Sequence, residues 1–65
     1  MFIELTLLGG EKVAININNI RWFRRSENYP AYAQVAVVGD TGDVPEVRES
    51  YEQVRQLITD AAQYR

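Results

Sequence analysis

From Phe2 to Leu7 the chain alternates: Ile3, Leu5 and Leu7 fall on one face, Glu4 and Thr6 on the other. That period of two is the pattern of a half-buried strand. Val13, Ile15 and Ile17 repeat it, separated by Ala14 and Asn16. Gly9-Gly10 joins the two runs, so the spacing predicts a hairpin. Its register follows from the side chains. A two-residue Gly9-Gly10 loop would pair Thr6 with Val13 and Glu4 with Ile15, setting polar against apolar on one face. A three-residue loop, Leu8-Gly9-Gly10, pairs Leu5 with Val13 and Ile3 with Ile15. It gathers the large aliphatics on one side and gives Gly10 the left-handed position of a bulged turn. The three-residue loop is the one expected.

Asn18-Asn19 breaks the alternation and reads as a tight turn, since asparagine tolerates left-handed geometry and bonds its own backbone. A third strand is expected over Ile20–Arg25, followed by the loop Ser26-Glu27-Asn28-Tyr29-Pro30. Tyr32–Val38 is rich in β-formers and reads as a fourth strand, with Ala33, Val35 and Val37 on one face. Gly39 to Asp43 is a turn. Val44–Glu49 reads as a short fifth strand, placed at an edge because Pro45 cannot donate to a ladder.

The pattern then changes period. Tyr51, Val54, Leu57, Ile58 and Ala61 lie on one helical stripe, while Glu52, Arg55, Gln56, Asp60 and Gln63 face away. Ser50 is a good N-cap, and Gln53 three residues on completes a capping box. A helix of about 13 residues is marginal alone in water, so its apolar stripe must rest on the sheet. The fold expected over residues 1–65 is one α+β domain. It holds a small antiparallel sheet of four to five strands, with one C-terminal helix (about 50–63) packed on one face.

Composition narrows the chemistry. The chain has 65 residues, 46% of them hydrophobic and 25% charged, the balance of an ordinary globular protein. So short a chain buries only about 60% of its unfolded surface, so the core is thin. There is no cysteine and no histidine. Disulfides, thiolate or imidazole metal sites and Cys/His or Ser/His catalysis are therefore excluded. No apolar run approaches the roughly 20 residues of a membrane span, and the first residues do not read as a secretory signal. A cytoplasmic setting, no cofactor and no membrane insertion are expected. The net charge of −2 is too small to make a polyanion the general partner.

One segment stands out. Ile20-Arg21-Trp22-Phe23-Arg24-Arg25 holds three of the seven basic residues and the only tryptophan. As a strand it puts Trp22 and Arg24 on one face and Arg21, Phe23 and Arg25 on the other. One aromatic should face the core and the other stay partly exposed beside arginine; alternation allows either. Aromatic and arginine side chains together are enriched in binding hot spots and also stack on bases. The plain alternative is a core aromatic rimmed by arginine stems. Arg21, Trp22, Arg24 and Arg25, with Tyr29 and Tyr32 from the next loop, form the candidate partner-binding set. The two tyrosines can equally be loop packing. Asp40 and Asp43 do not match the spacing of a calcium loop and read as part of a plain turn. Glu46, Glu49 and Glu52 read as a solvated face, with no pocket to raise a carboxyl pKa. The chain is not expected to be an enzyme.

With these elements placed, the chain resembles the flagellar FlbD family, also called swarming motility SwrD proteins. The matching residues are Ile3-Glu4-Leu5-Thr6-Leu7, Gly10 at the hairpin, Ile15-Asn16 and Ile20. Val47-Arg48-Glu49-Ser50-Tyr51-Glu52-Gln53-Val54 is similar to that family's V-x-E-S-x-x-x-V ending. The Arg21–Arg25 stretch is more basic and aromatic than that family shows there. A phage or mobile-element protein on the same scaffold would fit these residues equally. Ile20 onward is also similar, in topology, to the first part of LytTR-type DNA-binding domains. The expected function is a non-enzymatic accessory module that binds a protein partner. The alternatives are nucleic-acid binding through the Arg/Trp strand and self-assembly into a homo-oligomer.

Overall fold

The computed structural model describes residues 1–39 and 44–63. It contains β1 (Phe2–Thr6), β2 (Lys12–Asn16), β3 (Ile20–Arg25), β4 (Ala33–Val37), β5 (Glu46–Val47) and α1 (Tyr51–Gln63). The α+β class read from the sequence holds, as does the helix packed against the sheet. The five strands are divided between two antiparallel sheets, β1-β2 and β3-β4-β5.

The hairpin has the register that its aliphatics require. Leu5 pairs with Val13 and Ile3 with Ile15. The Leu7 N–H donates to the Glu11 carbonyl at 2.8 Å and the Gly10 N–H to the Leu7 carbonyl at 2.9 Å. Gly10 takes φ +97°, a conformation that a side chain would strain. After β2 the chain does not turn through left-handed asparagine. Ile17–Asn19 forms one 3-10 turn instead, and the Asn16 Oδ1 accepts from the Asn18 N–H at 3.0 Å. The asparagine-rich turn is thus right-handed, capped by the residue before it.

The two sheets meet at a seam far apart in sequence. Leu7 and Val47 form an antiparallel bridge. Thr6 pairs with β2 through a site that leaves its own N–H and C=O pointing the other way. Both groups find partners beyond β5: the carbonyl accepts from the Arg48 N–H at 2.7 Å, and the N–H donates to Glu49 Oε1 at 2.8 Å. The Thr6 hydroxyl donates to the second Glu49 oxygen at 2.9 Å. Arg48 donates through Nε and a terminal nitrogen to the Leu8 carbonyl, at 3.0 and 2.7 Å. Glu49, read from the sequence as part of a solvated face, is a half-buried clamp on β1.

The capping box forms as expected. The Gln53 N–H donates to Ser50 Oγ at 3.1 Å, and the Ser50 N–H to Gln53 Oε1 at 2.8 Å. The helix starts where the seam ends and lies on β1, β3 and β4. Val54 is fully buried there, joining Ile3, Leu5, Ala33, Val35 and Val47 in the core. Leu57, Ile58 and Ala61 pack around it. Pro45 sits at the edge beside β5, where its carbonyl accepts from the Val35 N–H at 3.3 Å. Of the turn expected at Gly39 to Asp43, all but Gly39 lies outside the described residues.

If Glu49 joins the sheets, Glu49→Ala should lower the unfolding free energy by about 2 kcal/mol, the penalty of unpaired donors in a partly buried site. That is a large share of the roughly 3–10 kcal/mol a domain of this size holds. Urea unfolding followed by far-UV circular dichroism measures it; Glu49→Gln, which keeps one acceptor, should lose less.

Candidate functional site

Strict alternation along β3 does not survive. Ile20 pairs with Val37 and Trp22 with Ala36, so two residues advance on β3 for one on β4 and Arg21 is the extra residue of a bulge. The bulge lets Ile20 and Phe23, three apart, both pack against the core. Beyond it, Phe23 and Arg25 point toward α1 while Trp22 and Arg24 point away. The Phe23 ring stacks at 5.2 Å from Tyr51, and Arg25 reaches Glu52 at 2.6 Å. The core aromatic is therefore Phe23. Trp22 is 41% exposed.

On the outer face Arg24 lies over the Trp22 ring, 5.4 Å from its centroid. The same guanidinium donates through Nε to Gln34 Oε1 at 3.0 Å and stands 3.5 Å from Glu27. Ala36, buried but outside the core cluster, is the ladder partner of Trp22. Trp22, Arg24 and Gln34 on two paired strands, with Glu27 from the loop that follows β3, thus make one connected surface.

The other candidate residues are placed elsewhere. Arg25 is committed to the helix, and Arg21 occupies the exposed bulge. Tyr29 and Tyr32 pair with each other, rings 6.1 Å apart, and the Tyr32 N–H donates to the Tyr29 carbonyl at 2.8 Å. Their loop is organised by buried Ser26, whose hydroxyl accepts from the Tyr29 N–H at 3.1 Å and donates to Glu46 on β5. The loop is packed on its own sheet, and Tyr29 remains 49% exposed. Glu27 and Gln34 are the residues that the sequence pattern did not single out. Gln34 was recoverable as the β4 neighbour of Arg24 once that pairing was laid out.

Glu52 has a pKa below its ordinary value of 4.5, chiefly because its own backbone N–H bonds the carboxylate in the first helical turn. The hydrogen bond and charge of Arg25 add to this, against an opposing effect of desolvation. Among the described residues no group of three or more acidic, histidine or cysteine side chains could hold a metal ion. No helix there is long and apolar enough to cross a membrane.

The inner face is not covered throughout. Away from the helix an open apolar groove of about 410 Å³ is lined by Leu7, Val13, Ile15, Val37, Val38 and Pro45, among others.

Together these features define a small α+β domain with, among the described residues, an exposed aromatic–guanidinium surface. Compared with protein-family models, curated proteins and solved structures, the chain matches none.

Two outcomes check the assignment of the strand's faces. Phe23→Ala should cost about 3–4 kcal/mol and leave little folded protein, whereas Trp22→Ala should cost about 1 kcal/mol or less. Thermal melts of the two variants decide it. Glu52→Gln should melt slightly below the wild type at neutral pH. Because the folded pKa is lowered, the carboxylate's contribution is complete above pH 4.5 and fades as pH falls through the folded value, so the two melting curves should converge in acid.

Proposed function

We propose that this chain is a non-catalytic binding module whose contact surface is the outer face of β3 and β4, centred on Trp22 and Arg24. The carrying observation is an indole that the fold leaves out. Phe23 fills the core position, so Trp22 stands exposed on a paired strand with a guanidinium fixed against it. Tryptophan and arginine held in place in the free state lose little freedom on association, which is the condition for a hot spot.

A protein partner suits this surface better than nucleic acid. Phosphate binding needs available cations, and two of the three strand arginines already have carboxylates, Arg24 with Glu27 at 3.5 Å and Arg25 with Glu52 at 2.6 Å. The sequence resemblance to FlbD-type proteins supports an accessory role in a flagellar system, in the cytoplasm. The stretches that carry the resemblance include Thr6 and Glu49, which hold each other across the seam in this fold.

Trp22→Ala should reduce affinity for the partner about 30-fold, the loss expected of a hot spot worth about 2 kcal/mol, while the melting temperature changes little. The single tryptophan is its own reporter: emission should shift to the blue as flagellar proteins are titrated in. Binding that is untouched by Trp22→Ala, or that appears only with DNA at low salt, would displace this reading.

A further inference from the structure

Among the described residues each sheet ends in a strand with nothing paired beyond it: β2 on one side, β3 on the other. The two edges differ. β3 carries the bulge at Arg21 and three arginines, the devices that keep a free edge from pairing with another chain. β2 is regular from Lys12 to Asn16, and its centre is Ala14, exposed and uncharged.

The hydrogen-bond alternation shows what β2 offers. Leu7 donates to Glu11 and Ile17 to Met1, so the paired sites of the hairpin are the odd positions, including Leu5–Val13 and Ile3–Ile15. The backbone N–H groups of Lys12, Ala14 and Asn16 therefore point away from β1, as do the carbonyls of Lys12 and Ala14. The Asn16 carbonyl serves the 3-10 turn that follows.

We infer that two copies of this chain associate through antiparallel pairing of β2 with β2, about a two-fold axis at Ala14. Symmetry and charge select that axis. Centred on Lys12, it would oppose two ammonium groups; centred on Asn16, it would run into the 3-10 turn. An axis at Val13 or Ile15 would use groups already bonded to β1. At Ala14, each Ala14 exchanges backbone bonds with its copy, Asn16 donates to the other Lys12 carbonyl, and Lys12 stands opposite Asn16. No like charges meet. On the inner face Val13 comes opposite the other copy's Ile15, at the non-hydrogen-bonded sites where cross-strand side chains lie closest. Both are half-buried and line the open groove, so pairing joins the two grooves into one and covers their β2 walls. The occupant of this edge is a second copy, because the strand is complementary to itself in shape and charge.

Sedimentation velocity from about 10 µM to about 1 mM should show a monomer passing to twice its mass with concentration. Ala14→Pro removes an N–H that has no partner among the described residues of the monomer, and should leave a monomer at every concentration with an unchanged circular dichroism spectrum. Ala14→Lys and Ala14→Glu should each stay monomeric alone and form a one-to-one complex when mixed. In the wild type, hydrogen exchange at the Ala14 and Asn16 amides should slow as concentration rises. A wild type monomeric throughout overturns the proposal and leaves the edge to an extended segment of another protein. A dimer that survives Ala14→Pro, or fast exchange at those amides in the dimer, overturns it too. Should the proline variant not fold, the Ala14→Lys and Ala14→Glu mixture and the exchange rates decide alone.

Discussion

The architecture depends on how Thr6 is held. β1 has a strand partner on one side only, and on the other its backbone meets residues 47–49, some forty positions later in the chain. The carbonyl takes the Arg48 N–H, and Glu49 holds the N–H and the hydroxyl together. A buried or half-buried backbone group without a partner is costly, so these few bonds determine where the hairpin can lie. They also set the start of α1, because Ser50 follows Glu49 directly and begins the capping box. One short stretch thus joins the two sheets and aims the helix.

That arrangement explains the uneven core. With α1 laid on β1, β3 and β4, Leu5, Val35, Val47 and the helix's own Val54 are essentially without solvent exposure, while the far end of the same inner face stays open. A chain of this length has too little apolar material to seal both ends. The surface features follow from the same shortage. Phe23 and Tyr51 are needed inside, stacked between strand and helix, and Trp22 stands outside with Arg24 across its face.

Much of this was legible in the residues. The hairpin register followed from matching aliphatics across Gly9-Gly10, and the helix start from Ser50 and Gln53, because both rest on local rules. The bulge at Arg21 escaped a strict period of two, though it left a trace: Ile20 and Phe23 are apolar at an odd spacing, which a regular strand cannot bury on one side. The turn expected at Asn18-Asn19 is there, but it is a right-handed 3-10 turn and not a left-handed one, because Asn16, the last residue of β2, supplies the cap. The grip of Glu49 on Thr6 was not readable at all, since nothing local links residues so distant. Of the candidate surface, Trp22 and Arg24 stand together, whereas Arg25 is turned to Glu52 and the tyrosines to each other, separations that only the fold imposes.

The extra residue at Arg21 acts as a phase shift in the strand's reading frame. Upstream of it the backbone is tied to the 3-10 turn; downstream, inward and outward positions are reset. Were Arg21 paired in a regular ladder instead of bulged, with Ile20 held in place, simple alternation would drive the indole inward and the phenyl ring out; loss of the residue itself would leave both where they are. With the bulge in place, the side chains at positions 22, 24 and 34 lie on the outer face and can change without disturbing the interior, which separates the demands of recognition from those of folding.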